Sequence, residues 1–326
     1  MRYDIHRLLI YLIPMKIVFA GSPEFALPSF ERLLASNHTL CAAYTQPDRP
    51  SGRGRKTTPT VIKTAADANN ITVYCPTSLK DEQQAQQLQN MQPDIMVVVA
   101  YGLLLPQRIL DIPRLGCINI HPSLLPQWRG AAPIQHSLLA GDTTTGITII
   151  QLELGMDSGP ILMQQPTPIK PDETSGQLHD RLATFGAECL LQTLQQLEAK
   201  TITPQQQDET LATYTKKIKK QDALIDWQQP ATTIANQIRA YNPWPVAHTL
   251  VHQNSLRVWN ATALDKHSDT PAGQVIACSK DGIDINTAQG VLRLLQLQMP
   301  GKRPLPISDF FNANQQQFIP NDTQLG

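Results

Sequence analysis

Short apolar runs alternate with segments of helical periodicity between residues 15 and 152, and this rhythm constrains the fold more than any other feature of the chain. The alternation is typical of a parallel sheet whose strands are joined by crossover helices. The predicted strands are residues 17–20, 40–45, 72–74, 95–100, 117–120 and 146–152, and the predicted helices are residues 24–35, 61–68, 82–90 and 132–140. We therefore predict an α/β domain with a Rossmann-like, mostly parallel sheet, which binds its ligands beyond the carboxyl ends of the strands.

The turn after the first predicted strand argues against a nicotinamide enzyme. Such enzymes carry Gly-x-Gly-x-x-Gly at this point, whereas Gly21-Ser22-Pro23 supplies one glycine. We predict that Ser22 caps the following helix and that Pro23 is its first residue. The fold is therefore of the nucleotide-binding type without the dinucleotide fingerprint.

The second half of the chain has a different pattern. A long helix is predicted at residues 175–199, and a polar segment with a proline follows it. The predicted strands beyond this segment are residues 248–251, 256–259, 274–277, 283–286 and 291–298, after a helix at residues 234–241. Short strands in this number predict a small, OB-like β-barrel. We expect an N-terminal extension at residues 1–14, a Rossmann-like domain at residues 15–200, a linker at residues 201–215 and an OB-like domain at residues 216–326.

Composition limits the possible environments and partners. Lys+Arg and Asp+Glu each total 27, so any contact with a nucleic acid must use a local basic patch. The five cysteines are scattered without a Cys-x-x-Cys pair, and the histidines lack metal-ligand spacing. This distribution predicts a reducing, cytoplasmic location and no metal. The apolar run at residues 8–14 is shorter than the roughly 20 residues that span a bilayer, so we expect a nonessential extension and no membrane contact.

Asn119 and His121 lie at the end of an apolar strand and should emerge on the same face, because side chains alternate across a strand. An amide can hold a developing oxyanion while an imidazole handles protons, and a carboxylate such as Asp157 can orient the ring. This combination favours acyl transfer. For an isolated Asn-x-His the commoner alternative is structural: the histidine satisfies a backbone carbonyl and the asparagine supports a turn.

The residues after His121 favour the catalytic interpretation over the structural one. Asn119-Ile120-His121-Pro122-Ser123-Leu124-Leu125-Pro126, together with residues 128–134, resembles the signature of the 10-formyltetrahydrofolate-dependent formyltransferases. Residues 19–23, 45–50, 97–102 and 241–245 extend the resemblance to the branch that acts on methionyl initiator tRNA. One departure is Pro122, where some relatives carry glycine; it stiffens the turn and removes no chemical group.

The resemblance implies roles for particular residues. The catalytic residues of the family correspond to Asn119, His121 and Asp157, and its folate-binding loop corresponds to Ser123, Leu124, Leu125 and Pro126. The implied cosubstrate is 10-formyltetrahydrofolate, which donates the formyl group. The implied acceptor is the free amino group of methionyl initiator tRNA, which attacks the formyl carbon directly through a tetrahedral intermediate, for translation initiation.

Two basic segments are candidates for contact with tRNA. The first is rich in Pro and Gly and contributes Arg49, Arg53, Arg55 and Lys56; the second contributes Lys216, Lys217, Lys219 and Lys220. Charge runs of this kind are usually solvated surface. The resemblance favours binding of the acceptor stem by the first segment, with Arg53 as the preferred contact.

Two other functions stay open at this point. A formyltransferase of this type could act on a small amine, such as a ribonucleotide or an amino sugar, and a chain of another class could bind RNA on a retired enzyme scaffold. The basic loop and second domain argue against the first alternative, and Asn119, His121 and Asp157 argue against the second. We predict no obligate protein partner.

Overall fold

The computed structural model describes residues 14–51 and 56–326. Its packing defines two compact units that interleave along the chain. The first comprises Met1–Arg129, Gly146–Pro166 and Arg181–Ala212, and the second comprises Gly130–Thr145, Thr167–Asp180 and Thr213–Gly326. The predicted domain boundaries stay a prediction. The predicted extension lies, except for its last residue, outside the described residues.

The first part of the chain alternates strands and helices. Its strands are β1 Lys16–Gly21, β2 Thr39–Tyr44, β3 Arg49–Ser51, β4 Lys56–Thr58, β5 Val73–Tyr74, β6 Ile95–Val99, β7 Cys117–His121, β8 Arg129–Gly130, β9 Thr144–Gln151 and β10 Ile161–Pro168. Its helices are α1 Leu27–Leu34, α2 Val61–Ala68, α3 Glu82–Met91, α4 Gln107–Leu110, α5 Pro133–Ala140 and α6 Ser175–Glu198.

Seven of these strands form the main sheet in the order β10-β9-β7-β6-β1-β2-β5. β1 lies parallel to β2 and β6, and β7 lies parallel to β6. The mostly parallel, Rossmann-like sheet is thus confirmed. β9 runs antiparallel to β7, and β10 is an additional strand that the sequence pattern did not predict.

The central strands are apolar because helices cover both faces of a parallel sheet. β1 is buried from Ile17 onward, and β6 is buried throughout. Beyond their carboxyl ends, Gln46 N donates to Ser22 Oγ at 3.0 Å and Gln46 Nε2 donates to the Tyr101 carbonyl at 3.1 Å. The predicted capping role of Ser22 is wrong, because Pro23 occupies the N-cap of a short 3₁₀ turn and α1 begins only at Leu27. The Ser22 hydroxyl ties the strand ends together instead.

The remaining elements are β11 Tyr214–Thr215, α7 Ala231–Ala240, β12 His248–Val251, β13 Asn254–Leu264, β14 Val275–Ser279, β15 Gly282–Asn286, β16 Val291–Gln298, β17 Leu305–Pro306 and α8 Ile307–Asn314. β12-β13-β16-β15-β14 form an antiparallel sheet, with β17 beside β16. This curled half-barrel confirms the OB-like prediction. Its core includes Ile234 and Ile238 of α7 packed with Val258 and Leu294 of the sheet.

No helix within residues 14–51 and 56–326 combines the length and the apolar character needed to cross a bilayer.

Candidate active site

β7 places Asn119 and His121 in the interior of the first unit. All five residues of this strand are buried; Asn119 is 9% exposed and His121 is 4% exposed. The alternation of a strand puts these two polar side chains on one face and Ile118 and Ile120 on the other. In the register with β9, His121 lies opposite Thr148. The strand therefore delivers an amide and an imidazole together at its carboxyl end.

The two ring nitrogens of His121 have different partners. Nε2 lies 3.0 Å from the Trp128 carbonyl oxygen, and Nδ1 lies 3.6 Å from Asp157 Oδ2. A carbonyl oxygen can only accept a hydrogen bond, so Nε2 carries the hydrogen. In the neutral ring the lone pair therefore resides on Nδ1, on the side of the Asp157 carboxylate. His121 can take up a proton at Nδ1, and Asp157 is placed to stabilise the resulting charge.

Burial sets the resting state of His121. It lowers the pKa of His121 below the ordinary histidine value, while the Asp157 carboxylate and the hydrogen bond to the Trp128 carbonyl act in the opposite direction. Burial is the largest of these effects. The ring is therefore neutral at pH 7, the state in which it accepts a proton.

Asp157 lies in a turn with an unusual backbone conformation. Its φ is +50°, in the left-handed region that non-glycine residues rarely adopt. Gly159 passes so close to the Gln151 carbonyl that a Cβ atom there would collide with it. Gln207 supports this turn, because its Nε2 donates to the carbonyls of Asp157 at 2.8 Å and Gly159 at 2.7 Å. Sequence reasoning missed Gln207, which falls within the predicted linker.

Arg129 anchors the segment that contains Gln207. Its side chain is 0% exposed, although it carries a charge. Arg129 Nη1 and Nη2 donate to the Glu209 carboxylate at 2.9 and 2.7 Å, and Nε and Nη2 donate to Gln207 Oε1 at 3.1 and 2.9 Å. The hydrogen bond from Arg129 lowers the pKa of Glu209. The buried guanidinium is thus paired in the bidentate way that offsets part of its desolvation.

The predicted folate loop follows β7 directly. Ser123 is fully buried, and its hydroxyl donates to the Gln127 carbonyl at 2.7 Å. Thr148 Oγ1 donates to the Ser123 carbonyl at 2.6 Å and accepts from Leu125 N at 3.1 Å. Gln164 Nε2 donates to the Leu125 carbonyl at 2.8 Å. These bonds fix the loop, while Leu124 and Pro126 stay half-buried.

The structure describes part of the first predicted tRNA-binding segment. Arg49 is exposed and donates to Gln46 Oε1 at 2.8 Å. β3 and β4 pair antiparallel, and Lys56 begins β4. Arg53 and Arg55 lie outside the described residues.

The four lysines of the second segment, Lys216, Lys217, Lys219 and Lys220, are all exposed.

Within residues 14–51 and 56–326, His, Cys, Asp and Glu side chains form no group of three that could hold a metal ion.

Two models of known protein families match successive parts of the chain. The family model described as formyl transferase matches residues 15–194, and the model described as formyl transferase, C-terminal domain, matches residues 217–315. An N-formyltransferase from Helicobacter canadensis, solved with folinic acid and dTDP-3-aminofucose, shares the fold with a TM-score of 0.65 at 17% identity. That likeness covers 86% of this chain and 99% of the other.

Two relatives are much more similar in sequence. A methionyl-tRNA formyltransferase of Methylococcus capsulatus is 50% identical over 300 residues, covering 92% of this chain and 97% of the relative. One from Coxiella burnetii is 48% identical over 312 residues, covering 96% of this chain and 99% of the relative. The chain therefore belongs to the formyltransferase family, in the branch of the methionyl-tRNA formyltransferases.

Proposed function

We propose that this protein transfers the formyl group of 10-formyltetrahydrofolate to the α-amino group of methionyl initiator tRNA, for translation initiation. The observation that carries the proposal is the arrangement at the end of β7. Neutral His121 offers Nδ1 beside Asp157, and Asn119 lies on the same face of the strand. The two relatives named above, which match nearly the whole chain, support the choice of substrate.

His121 accepts a proton from the amine as the amine attacks. An α-amino group titrates near pH ~8, so a large fraction carries an extra proton at neutral pH. That proton leaves to solvent before attack, and the free amine then forms the new C–N bond to the formyl carbon. As this bond forms, the amine loses a further proton, which His121 Nδ1 accepts. The carboxylate of Asp157, 3.6 Å from Nδ1, stabilises the charged ring.

The formyl oxygen becomes negatively charged in the tetrahedral intermediate. Asn119 supplies an amide donor to it, and protonated His121 supplies a second. When the intermediate collapses, the bond between the formyl carbon and the folate nitrogen breaks, and the proton held by His121 passes to that nitrogen. The products are the formylated amine and tetrahydrofolate, with every proton accounted for.

Direct attack by the amine needs no covalent formyl-enzyme. Cys117, the cysteine of β7, is buried, and burial raises its pKa to about 12. A thiol in this state is a poor nucleophile at neutral pH. The substrate amine is itself a nucleophile, so it can attack the formyl carbon without a protein nucleophile.

The loop of Ser123, Leu124, Leu125 and Pro126 is the proposed folate site. Its backbone is held by Thr148 and Gln164, and its half-buried apolar side chains suit an aromatic ring system at the end of the strand. Folate is a consumed cosubstrate here. Ser123 contributes by shaping the loop, because its hydroxyl already donates to the Gln127 carbonyl.

We assign tRNA binding to the two basic segments. Lys216, Lys217, Lys219 and Lys220 are exposed cations, and Arg49 begins β3, which pairs with β4. In the sequence, Arg53 and Arg55 lie between these two strands. Exposed lysines and arginines suit sequence-independent contacts with phosphates. A tRNA substrate and free cysteines both fit the cytoplasm as the site of action.

A formyl-transfer assay with labelled 10-formyltetrahydrofolate tests the function. Charged initiator tRNA, charged elongator methionine tRNA, amino sugars and aminoribonucleotides are offered in parallel reactions. We expect rapid label transfer to charged initiator tRNA. Transfer only to a small amine would contradict the assigned acceptor, and absence of transfer to every acceptor would contradict the enzymatic function.

A further inference from the structure

Gln207 and Arg129 link the segments that contain the two polar neighbours of His121, Asp157 and the Trp128 carbonyl. Gln207 holds the Asp157 turn through the carbonyls of Asp157 and Gly159, and Arg129 holds the side chain of Gln207. Arg129 also directly follows Trp128, whose carbonyl accepts from His121 Nε2. One buried guanidinium is therefore connected to both sides of the imidazole.

The bonding pattern fixes the orientation of the Gln207 amide. Its Oε1 accepts from two nitrogens of Arg129, and its Nε2 donates to two carbonyls of the Asp157 turn. Reversing the amide would set donors against donors and acceptors against acceptors. The side chain thus acts as a two-ended connector with one permitted orientation.

The Asp157 turn needs such a connector. Asp157 has a φ of +50°, and a strained backbone of this kind persists only where its surroundings hold it. The neighbouring Met156 is 63% exposed, so packing on that side of the turn contributes little. Two hydrogen bonds from Gln207 to backbone carbonyls on either side of Ser158 hold the turn in this conformation.

We propose that Gln207 is a positioning residue for catalysis: anchored by Arg129, it fixes the Asp157 carboxylate beside His121 Nδ1 without contacting substrate. This inference rests on the proposed function and adds a residue to it. Glu209 completes the arrangement by pairing with the far side of the guanidinium, which keeps the buried charge of Arg129 compensated. Misplacing a reacting group by about 1 Å can cost roughly 10²-fold in rate, so a connector of this kind matters for turnover.

The test uses two variants of Gln207 in the full-length protein. Gln207→Met keeps the length of the side chain and removes all of its hydrogen bonds. Gln207→Glu keeps an acceptor for Arg129 and removes the donors to the Asp157 turn. We expect this variant to stay folded, because the buried guanidinium of Arg129 keeps its partner. We expect both variants to lower kcat about 10–100-fold and to leave both KM values within about threefold.

Gln237 provides a matched control. Its Nε2 likewise donates to two backbone carbonyls, those of Asp222 at 3.0 Å and Leu224 at 3.1 Å. Gln237→Met removes an equivalent pair of bonds in the second unit. We expect this variant to keep the parental kcat.

A double-mutant cycle separates positioning from a merely structural role. In an Asp157→Asn background, Gln207→Met should cost less than about twofold in kcat, because the carboxylate that it positions is already gone. An undiminished loss in that background would overturn the proposal. Parental kcat in folded Gln207→Glu, or a loss confined to KM, would also overturn it.

NMR titration of His121 supplies a readout that does not depend on activity. Because the Asp157 carboxylate raises the pKa of His121, we expect Gln207→Met to lower that pKa toward its value in Asp157→Asn. An unchanged His121 pKa would contradict positioning by Gln207. If the parent protein transfers no formyl group, the proposed function fails, while the titration still decides the role of Gln207.

Discussion

The end of β7 and the lysine segment at residues 216–220 differ in how they hold their functional side chains. His121 is 4% exposed and has a defined partner at each ring nitrogen. The four lysines are exposed and lie in the segment between β11 and α7. A buried, partnered group has a defined position and a defined resting protonation state, from which acid–base chemistry can start. Exposed charged side chains are solvated and can adopt several conformations, which suits contacts with a phosphate backbone.

The two regions therefore have different tasks. Loss of a group at the end of β7 should slow the chemical step, whereas loss of surface charge should weaken the binding of tRNA. The two effects are separable, because saturation with tRNA restores a binding defect and leaves a chemical defect unchanged.

Removal of Asn119, His121 or Asp157 should give the largest effect. We expect Asn119→Ala, His121→Ala and Asp157→Ala to stay folded and to lose activity. Loss of an oxyanion donor costs about 10²–10³ in rate, and loss of an acid–base group costs about 10²–10⁴. Single-turnover rates measure the loss, and circular dichroism checks the fold. The double variants should lose less than the product of the single losses; independent multiplication would show that the three residues do not act together.

Neutralising the lysine segment should give the next largest effect. We expect the quadruple variant Lys216→Gln, Lys217→Gln, Lys219→Gln and Lys220→Gln to bind charged tRNA more weakly, with parental folate binding. The log–log salt slope should become shallower by about 0.9 for each lysine that contacts a phosphate, with duplex DNA as the guide. Titrations at several salt concentrations measure both quantities. Parental affinity and slope would show that these lysines are only a solvated surface.

Arg53→Ala should affect the acceptor side of the reaction selectively. Arg53 lies between β3 and β4, and we expect it to contact tRNA directly. The variant should raise KM for charged tRNA several-fold and leave the binding of a folate analogue unchanged. Lys63→Ala is a matched control nearby, because Lys63 pairs with Asp48 at 2.8 Å and has no assigned role in tRNA binding. Equal losses in both assays of Arg53→Ala would place this loop in the folate site.

Acid should destabilise the parent more than His121→Gln. Burial lowers the pKa of His121, so the folded state holds the ring neutral and binds fewer protons there than the unfolded state. The contribution of neutral His121 to stability is present above its ordinary pKa of about 6.5 and is lost as the pH falls through the folded pKa. Urea unfolding at pH 7 and pH 5 should show a smaller acid loss in His121→Gln. Equal losses would mean that folding does not lower this pKa.

Starting translation at Met15 should have the smallest effect. β1 begins at Lys16, so removal of residues 1–14 leaves the sheet intact. We expect unchanged activity and an unchanged melting temperature in differential scanning calorimetry. A marked fall in either one would assign a structural role to the removed residues.

The residues that sequence predicted best are those defined by neighbours along the chain. Asn119 and His121 follow from an apolar strand, its alternation and the motif after it. The orientation of β9 did not follow, because the apolar pattern of a buried strand is the same in parallel and antiparallel sheets. β10 contains two prolines and consecutive glutamines, and prolines are tolerated at the edge of a sheet, where this strand lies.

The role of Gln207 could not be predicted from the sequence. It lies 50 residues beyond Asp157 and 78 beyond Arg129, in a polar segment with the composition of a linker. Its role depends on which backbone carbonyls and which guanidinium surround it in the fold, and neither periodicity nor local motif contains that information. Asp157 was a candidate from its residue type, and its correspondence to a catalytic residue came from the resemblance to a known family.

Single-turnover formylation of charged initiator tRNA by two variants tests the division of tasks most directly. His121→Ala and the quadruple lysine variant are compared with the parent at subsaturating and saturating tRNA, with tRNA binding measured separately. We predict that His121→Ala binds tRNA normally and stays at least about 10²-fold slow at saturation, whereas the lysine variant recovers the parental rate. A lysine variant that stays slow at saturation, or a folded His121→Ala that reaches the parental rate, would contradict the account.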